Sequence, residues 1–199
     1  MSPRWLRQDE RDEVPWEERQ DGRLENLLGA LAVTLGERVQ ERMAAAAGCS
    51  RRAVAALQWL GRSRRLRTRD LAEALEVSMP GASQLVRSLM AAGLVQRTRY
   101  AHDQRQWRLQ LTELGARRTL QARRARAQLV RELVTTLPFP WRLRLIRILE
   151  RLLARMADTR QAVLRVCRHC DWDVCRDAVI EPCPVAMAHA ERTTSSRRG

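Results

Sequence analysis

The sequence predicts a mostly α-helical protein with one small β-hairpin, and three observations support this fold class. Aromatic residues make up only 4% of the 199 residues, whereas Ala, Leu and Arg are abundant, a composition that favours helices over strands. Apolar residues recur at three- and four-residue steps, which is the spacing of one helix face. Near the middle of the chain, two short strand-like segments flank a polar turn, which predicts a hairpin.

The first half of the chain predicts one long helix and one short helix. Residues 1–22 are polar and charged, so we expect a loosely held arm. Gly48 ends the long helix, and Ser50 can cap a second helix that runs through Leu60. The apolar face of the long helix is formed by Leu24, Leu27, Leu28, Leu31, Leu35, Val39 and Met43.

The centre of the chain predicts two short helices joined by a tight turn. Thr68 is a suitable N-cap for a helix over 70–76, and Ser78 for a helix that ends near Gly93. In the second helix one face is apolar and is formed by Ala82, Leu85, Val86 and Leu89. The residues left on the outside are Met79, Pro80, Ser83, Gln84 and Arg87.

The remaining elements complete a recognisable order. Strands are predicted at 94–100 and 107–112, with a polar turn at 102–104, and two helices follow at 113–136 and 139–165. The order helix, turn, helix, strand, turn, strand is that of a winged helix-turn-helix. In such a unit the second helix reads bases in the major groove with its N-terminal residues.

The exposed row of the second helix has suitable chemistry for reading DNA. Gln84 can form a two-point contact with adenine, and Ser83 can bond a base or a phosphate. Arg87 is better placed to contact the phosphate backbone. Met79 is the first residue of this exposed row. We therefore expect a double-stranded DNA reader.

The charge distribution also favours a polyanionic partner. All 37 basic residues are Arg, and the formal net charge is +14. Residues 62–147 hold 19 arginines against six acidic residues, an excess of 13 positive charges. Codon bias can explain Arg in place of Lys, but it does not explain the missing acids in the same segment. A basic stretch of this kind is the electrostatic footprint of a nucleic-acid binder.

This stretch closely resembles the MarR family of bacterial regulators over about residues 22–158. The pairing of a wing turn with a Leu-x-Leu-Thr-x-x-Gly motif is the more specific part of the resemblance, because many families share the helix-turn-helix alone. The segments that carry the resemblance are 71–75, 77–78, 85–89, 93–95, 103–105 and 109–115.

The resemblance implies a homodimer joined by its N- and C-terminal helices, with one winged helix for each DNA half-site. It also implies that Arg105 at the wing tip reaches the minor groove and that Asp103 braces it. The chain departs from the family pattern at 79–81, where Met-Pro-Gly replaces polar residues.

On this basis the chain divides into six parts. These are a flexible arm at 1–22, N-terminal dimerisation helices at 23–60, a winged helix-turn-helix DNA-binding domain at 61–115, C-terminal dimerisation helices at 116–165, a cysteine loop at 166–185 and a flexible tail at 186–199. Along the last long helix, the predicted dimer core is formed by Leu145, Ile148, Leu149, Leu152, Leu153 and Met156.

A cysteine cluster follows the last predicted helix. Cys167, Cys170, Cys175 and Cys183 fall within 17 residues with the spacing C-x2-C-x4-C-x7-C-P. Four thiolates in one short loop match the needs of an iron–sulfur cluster or a tetrahedral zinc ion. The Cys-Pro end favours the iron–sulfur cluster. A structural or labile zinc and a thiol-disulfide switch remain alternatives, because the spacing departs from both ferredoxin and zinc-ribbon patterns.

The sequence therefore predicts a cytoplasmic DNA-binding repressor, not an enzyme. No secretion signal, membrane span or catalytic motif is visible, so thiols are expected to stay reduced and available to a metal. In the preferred interpretation the cluster senses redox state, nitric oxide or iron, and its folding sets the distance between the two recognition helices. In the alternative, zinc only staples the C-terminus of a constitutive DNA-binding protein.

Overall fold

A computed structural model of the chain describes residues 16–62, 66–100, 103–167, 170, 183 and 185. Over these residues the fold is mostly helical with a two-stranded antiparallel sheet, which confirms the predicted fold class. The elements in chain order are α1 (Trp16–Ala47), α2 (Arg51–Arg62), α3 (Thr68–Leu75), α4 (Met79–Ala91), β1 (Val95–Tyr100), β2 (Asp103–Leu111), α5 (Glu113–Val134), α6 (Phe139–Met156) and α7 (Arg160–Cys167).

The chain forms two compact units, and the boundary between Glu41 and Arg42 falls inside α1. In the first unit α1 begins at Trp16, within the segment predicted as an arm. Glu17, in the first turn of this helix, interacts favourably with the positive end of the helix dipole, which is consistent with the earlier start. The predicted arm before residue 16 lies outside the described residues.

The core of the second unit forms around α2. Ala56 and Leu57 of α2 are buried together with Leu71 of α3, Val86 of α4 and Leu109 of β2. Each of these leucines is at most 2% exposed, and fully burying a side chain of this kind contributes about 1.5–3 kcal/mol. Three helices and the wing therefore share one core, which holds α4 in place.

Side-chain caps set the helix boundaries of this unit. The hydroxyl of Ser50 accepts a hydrogen bond from the Ala53 amide at 3.2 Å, and that of Ser78 accepts from the Gly81 amide at 3.3 Å, so both predicted caps are confirmed. The prediction for Thr68 was wrong. Arg67 is the N-cap residue of α3, because the Asp70 carboxylate reaches back and accepts from its backbone amide at 2.8 Å.

A tight joint connects the end of α4 to the start of α5. Gly93 ends α4 in the left-handed conformation at φ +67°. The Thr112 hydroxyl donates to the Gly93 carbonyl at 2.6 Å, and the Thr112 amide donates to the Leu94 carbonyl at 3.1 Å. At Gly115 an added Cβ would lie 2.0 Å from the Leu94 carbonyl oxygen, so only glycine allows α5 to approach this closely.

The hairpin and the last helix differ from their predictions. β2 begins at Asp103, so two residues predicted in the turn belong to the strand, and Asp103 pairs with Tyr100 beside a register shift. The continuous helix predicted over 139–165 is wrong, because α6 ends at Met156 and α7 starts at Arg160. Thr159 caps the start of α7, since its hydroxyl accepts a hydrogen bond from the Ala162 amide at 3.1 Å. None of the helices in the described ranges combines the length and apolarity that a bilayer span requires.

The joint predicts a severe effect of Gly115→Ala. The added methyl group meets backbone atoms of Leu94 that cannot move alone, so we expect the free energy of unfolding to fall by about 1–3 kcal/mol or more, as in overpacked cores. Urea denaturation followed by circular dichroism measures this loss. Gly61→Ala is the matched control, because a Cβ there meets side-chain atoms of Leu111 and Thr119 at an ordinary 3.5 Å. Equal stability of the two variants would contradict the joint.

The carboxylate at Asp70 predicts a pH-dependent stability. Burial raises its pKa, but hydrogen bonds from the side chain and backbone of Arg67 outweigh this and hold the pKa below the ordinary 3.8. The stabilisation is therefore present above the ordinary pKa and is lost as pH falls through the lowered folded-state pKa. We expect Asp70→Ala to cost about 1 kcal/mol at pH 7, a typical value for a helix cap, and less at pH 2–3.

Urea denaturation of the variant and the natural protein at both pH values checks this expectation. Glu73→Ala is a suitable control, because its exposed ion pair with Arg69 belongs to a class that contributes only about 0.3–0.5 kcal/mol. The cap assignment is wrong if Asp70→Ala loses the same stability at pH 3 as at pH 7.

Candidate nucleic-acid interface

The helix α4 presents its predicted polar row to the outside. Ala82 and Val86 are completely buried and Leu89 is 2% exposed, so this face lies against the core. On the opposite side Gln84 and Arg87 are exposed. Met79 is 47% exposed and Ser83 is half-buried. The residues proposed to read DNA are therefore accessible along one helix face.

Pairing between β1 and β2 builds the wing. Leu109 pairs with Arg97, is buried, and also donates its amide to the Leu66 carbonyl at 2.8 Å, which ties the wing to the segment before α3. The next pair on the same side of the ladder is Arg99 with Trp107. The Arg99 guanidinium lies 5.2 Å from the centre of the Trp107 ring, a cation–π contact that holds an exposed arginine on the wing.

The wing-tip residues are placed only by their backbone. Asp103 and Arg105 belong to β2, but their side chains lie outside the described part of the structure. The brace by Asp103 and the minor-groove contact by Arg105 stay predictions. Exposed Arg97 and Arg99 are additional cations on the same hairpin that the sequence interpretation did not single out.

An open depression adjoins α4 and brings in residues that sequence reasoning missed. It has a volume of about 500 Å³ and is lined by Ser50, Arg52, Val77, Ser78, Gly81, Gln84, Leu85 and Ser88. Ser50 and Arg52 belong to the start of α2, so the structure places a cation and a helix N-terminus beside Gln84. In the sequence, the Ser-Arg-Arg segment at 50–52 indicates a cation at the start of a helix. Its position beside Gln84 follows only from the tertiary structure.

The arginines of α5 divide into different environments. Arg117 forms an ion pair with Glu113 on its own helix. The guanidinium of Arg118 lies beside Gly48, and its charge influences the pKa of Cys49. Burial raises the pKa of the Cys49 thiol, while the charge of Arg118 partly opposes this, and the half-buried Cys49 side chain packs against the core. Arg117 and Arg118 thus each have a neighbour within the chain.

Three of the four clustered cysteines lie within the described residues. Cys167 is the last residue of α7, and Cys167, Cys170 and Cys183 are all half-buried. Cys175 lies outside the described residues. Within the positions that the structure does describe, no three His, Cys, Asp or Glu side chains converge as a metal-binding group.

The end of α7 contacts the winged helix at two points. Arg62, in the last turn of α2, donates to the Cys167 carbonyl through Nη1 and to the Cys170 carbonyl at 3.3 Å through Nη2. Arg165 of α7 pairs with Glu76, which ends α3 in the left-handed conformation at φ 55°. Arg165, Cys167 and Cys170 are thus attached to the helix-turn-helix of their own subunit.

This arrangement defines a winged-helix protein. The segment 47–106 matches the family described as the MarR family. A search of curated protein sequences found no match.

Solved structures show the same fold. A MarR family protein from Bacillus stearothermophilus is 25% identical, with a TM-score of 0.63 over 71% of this chain and 98% of that one. The YusO protein from Bacillus subtilis is 21% identical, with a TM-score of 0.59 over 68% of this chain and 95% of that one. A Staphylococcus aureus MepR mutant bound to an oligodeoxyribonucleotide is 19% identical, with a TM-score of 0.54 over 66% and 96% of the two chains. The present chain therefore has a winged-helix fold, and its segment 47–106 is similar to the MarR family.

Proposed function

We propose that this protein represses transcription as a homodimer that binds double-stranded DNA in a sequence-specific manner. The observation that carries the proposal is the accessible row on α4, with Gln84 and Arg87 exposed while the opposite face is buried. A helix held in this way can enter the major groove without disturbing its own core. Gln84 would contribute base recognition, and Arg87 a phosphate contact.

Charge supports the same partner. The arginines that produce the excess of 13 positive charges over residues 62–147 include Arg97 and Arg99 on the wing and Arg87 on the exposed face of α4. Neutralising DNA phosphates releases counterions, so affinity for DNA should fall steeply with salt. The MepR mutant with a similar fold is bound to an oligodeoxyribonucleotide. A regulator that binds DNA, and not an enzyme, accounts for both features.

Apolar surface on α6 supports the dimer. No residue of α6 is buried within the single chain. Ile148, Leu149 and Met156 of the predicted dimer core are 53%, 44% and 67% exposed, and Leu145 is half-buried. Apolar patches on this scale normally mark an interface. A second copy of the chain would cover them and would supply the second half-site reader.

We further propose that the clustered cysteines hold an iron–sulfur cluster that senses redox state, nitric oxide or iron and changes DNA affinity. Cys167, Cys170, Cys175 and Cys183 would hold it. Their spacing in the sequence carries this proposal, because the three described cysteines do not form a metal-binding group in the structure. When bound, such a cluster supplies a group that loses or gains charge with its oxidation state. A structural zinc and a thiol switch are the competing functions of the same residues.

The DNA-binding proposal is tested by Gln84→Ala and Arg105→Ala. We expect both to weaken binding to a pseudo-palindromic duplex with half-sites about one helical turn apart. A good two-point base contact contributes about 1–3 kcal/mol of discrimination, so Gln84→Ala should also relax sequence preference, whereas Arg105→Ala should not. Fluorescence anisotropy with operator and scrambled duplexes at fixed salt gives both quantities.

Gln128→Ala is the matched control, because Gln128 is exposed on α5 and bonds to Glu132 one turn away. It should leave affinity and specificity unchanged. Unchanged binding by both test variants, in dimers that remain folded, would exclude the proposed docking of α4 and the wing.

The cofactor proposal is tested by analysis of protein purified without oxygen. We expect a brown protein with visible absorption at about 400 nm that contains both iron and acid-labile sulfide, all typical of thiolate-bound clusters. Cys175→Ser should abolish all three signals, whereas Cys49→Ser should keep them, because Cys49 packs against the core. Colourless protein with stoichiometric zinc would select the structural staple, and metal-free protein that resists reconstitution would select the thiol switch.

A further inference from the structure

The contacts of Arg62 form a charged cap on the end of α7. The last carbonyl groups of a helix have no partner within the helix, and a cation placed there is favourable. Arg62 supplies such a cation from the last turn of α2 and bonds the carbonyls of both Cys167 and Cys170. The backbone of the first Cys-x-x-Cys pair is therefore held by an arginine of the helix-turn-helix unit.

The contact of Arg165 reaches a different part of the same unit. Its partner Glu76 lies at the turn between α3 and α4, where the Val77 amide donates to the Ala72 carbonyl at 3.1 Å. This turn sets the angle at which α4 leaves α3. The Arg165 and Glu76 side chains are 48% and 61% exposed, so their pair contributes little by itself. Arg62 forms charged bonds in a partly buried place and is the stronger link.

The break between α6 and α7 removes the continuous helical connection from the cysteine segment to the predicted dimer core. A continuous helix over 139–165 would have transmitted movement of the cysteine segment directly to the predicted dimer core. Instead the chain leaves helical geometry at Ala157, with φ −97° and ψ 55°, and restarts at Arg160. The polar contacts of Arg62 and Arg165 offer a shorter path to α4.

We infer that the cysteine segment acts on the helix-turn-helix of its own subunit through Arg62 and Arg165, and not through the dimer helix α6. The two arginines are positioning residues. A change in the backbone at Cys167 and Cys170 alters the hydrogen bonds of Arg62 and the ion pair of Arg165. The local stability of the α3–α4 turn changes in response. This inference deepens the proposed function and rests on it for the roles of α4 as DNA reader and of the cysteines as sensor.

The first test needs neither DNA nor a cofactor. Hydrogen–deuterium exchange is measured on full-length, EDTA-treated dimers of the natural protein, Arg62→Gln, Arg165→Gln and the control Arg131→Gln, an exposed arginine on α5. We expect Arg62→Gln to accelerate exchange at residues 76–79 by roughly fivefold or more, the lower end of common couplings, Arg165→Gln to do so less, and Arg131→Gln not at all. Unchanged exchange at this turn in both test variants overturns the inference.

A charge swap separates the contact from general damage. Arg165→Glu should accelerate exchange at 76–79, and the double variant Arg165→Glu with Glu76→Arg should bring it back towards the natural rate because the pair is restored in reverse. Failure of the double variant to recover counts against the contact as the path.

The second test separates this inference from the proposed function. Operator affinity is compared between protein reconstituted with ferrous iron and sulfide and EDTA-treated protein. If the two affinities of the natural protein differ by about 5- to 150-fold, Arg62→Gln should reduce this ratio towards one while it retains iron and sulfide. A ratio that persists in Arg62→Gln overturns the inference but leaves the sensor proposal standing. If the natural protein itself shows no ratio, the sensor proposal fails and the exchange experiment alone decides the inference.

Discussion

The close approach of Gly115 to the Leu94 carbonyl is the constraint on which the winged helix depends. At this point the turn after α4 meets the turn before α5, and Thr112 bonds both Gly93 and Leu94. Any side chain at residue 115 would separate the two turns. One of the two turns connects α4 to β1, and the other connects β2 to α5. A single contact between the turns therefore fixes the relative positions of the recognition helix α4, the wing and α5.

Electrostatics then determine what this scaffold can bind. Packing buries Ala82, Val86 and Leu89 of α4, and Leu85 in part, so the polar face of α4 and the wing arginines are left for a partner. Several arginines are held by local contacts that orient them: Arg99 lies over Trp107, and Arg117 pairs along its own helix. The charge excess seen in the sequence is therefore not one uniform surface. Part of it is structural, and part faces outward beside α4.

The C-terminal segment changes the way in which a sensor would act on this fold. In the sequence the cysteines follow a long apolar helix, so the dimer interface is the natural route from cofactor to DNA. The helix break at Ala157–Thr159 and the cap that Arg62 places on Cys167 and Cys170 favour a route inside one subunit. In that case the dimer helices determine the distance between the two α4 helices, and each cysteine segment affects the α4 helix of its own subunit.

Local signals in the sequence were enough to determine the helix order, the caps at Ser50 and Ser78, the hairpin and the exposed row of α4, because each depends on residues close together in the chain. Other features depended on tertiary structure. Arg67 took the place of Thr68 as the N-cap residue of α3, because the Asp70 carboxylate accepts a hydrogen bond from the Arg67 amide. Arg52 came to lie beside Gln84 through packing of α2 on α4. Arg62 met the cysteine backbone across 105 residues of chain. No periodicity or motif encodes such distant contacts, because they arise only when separate helices share one core.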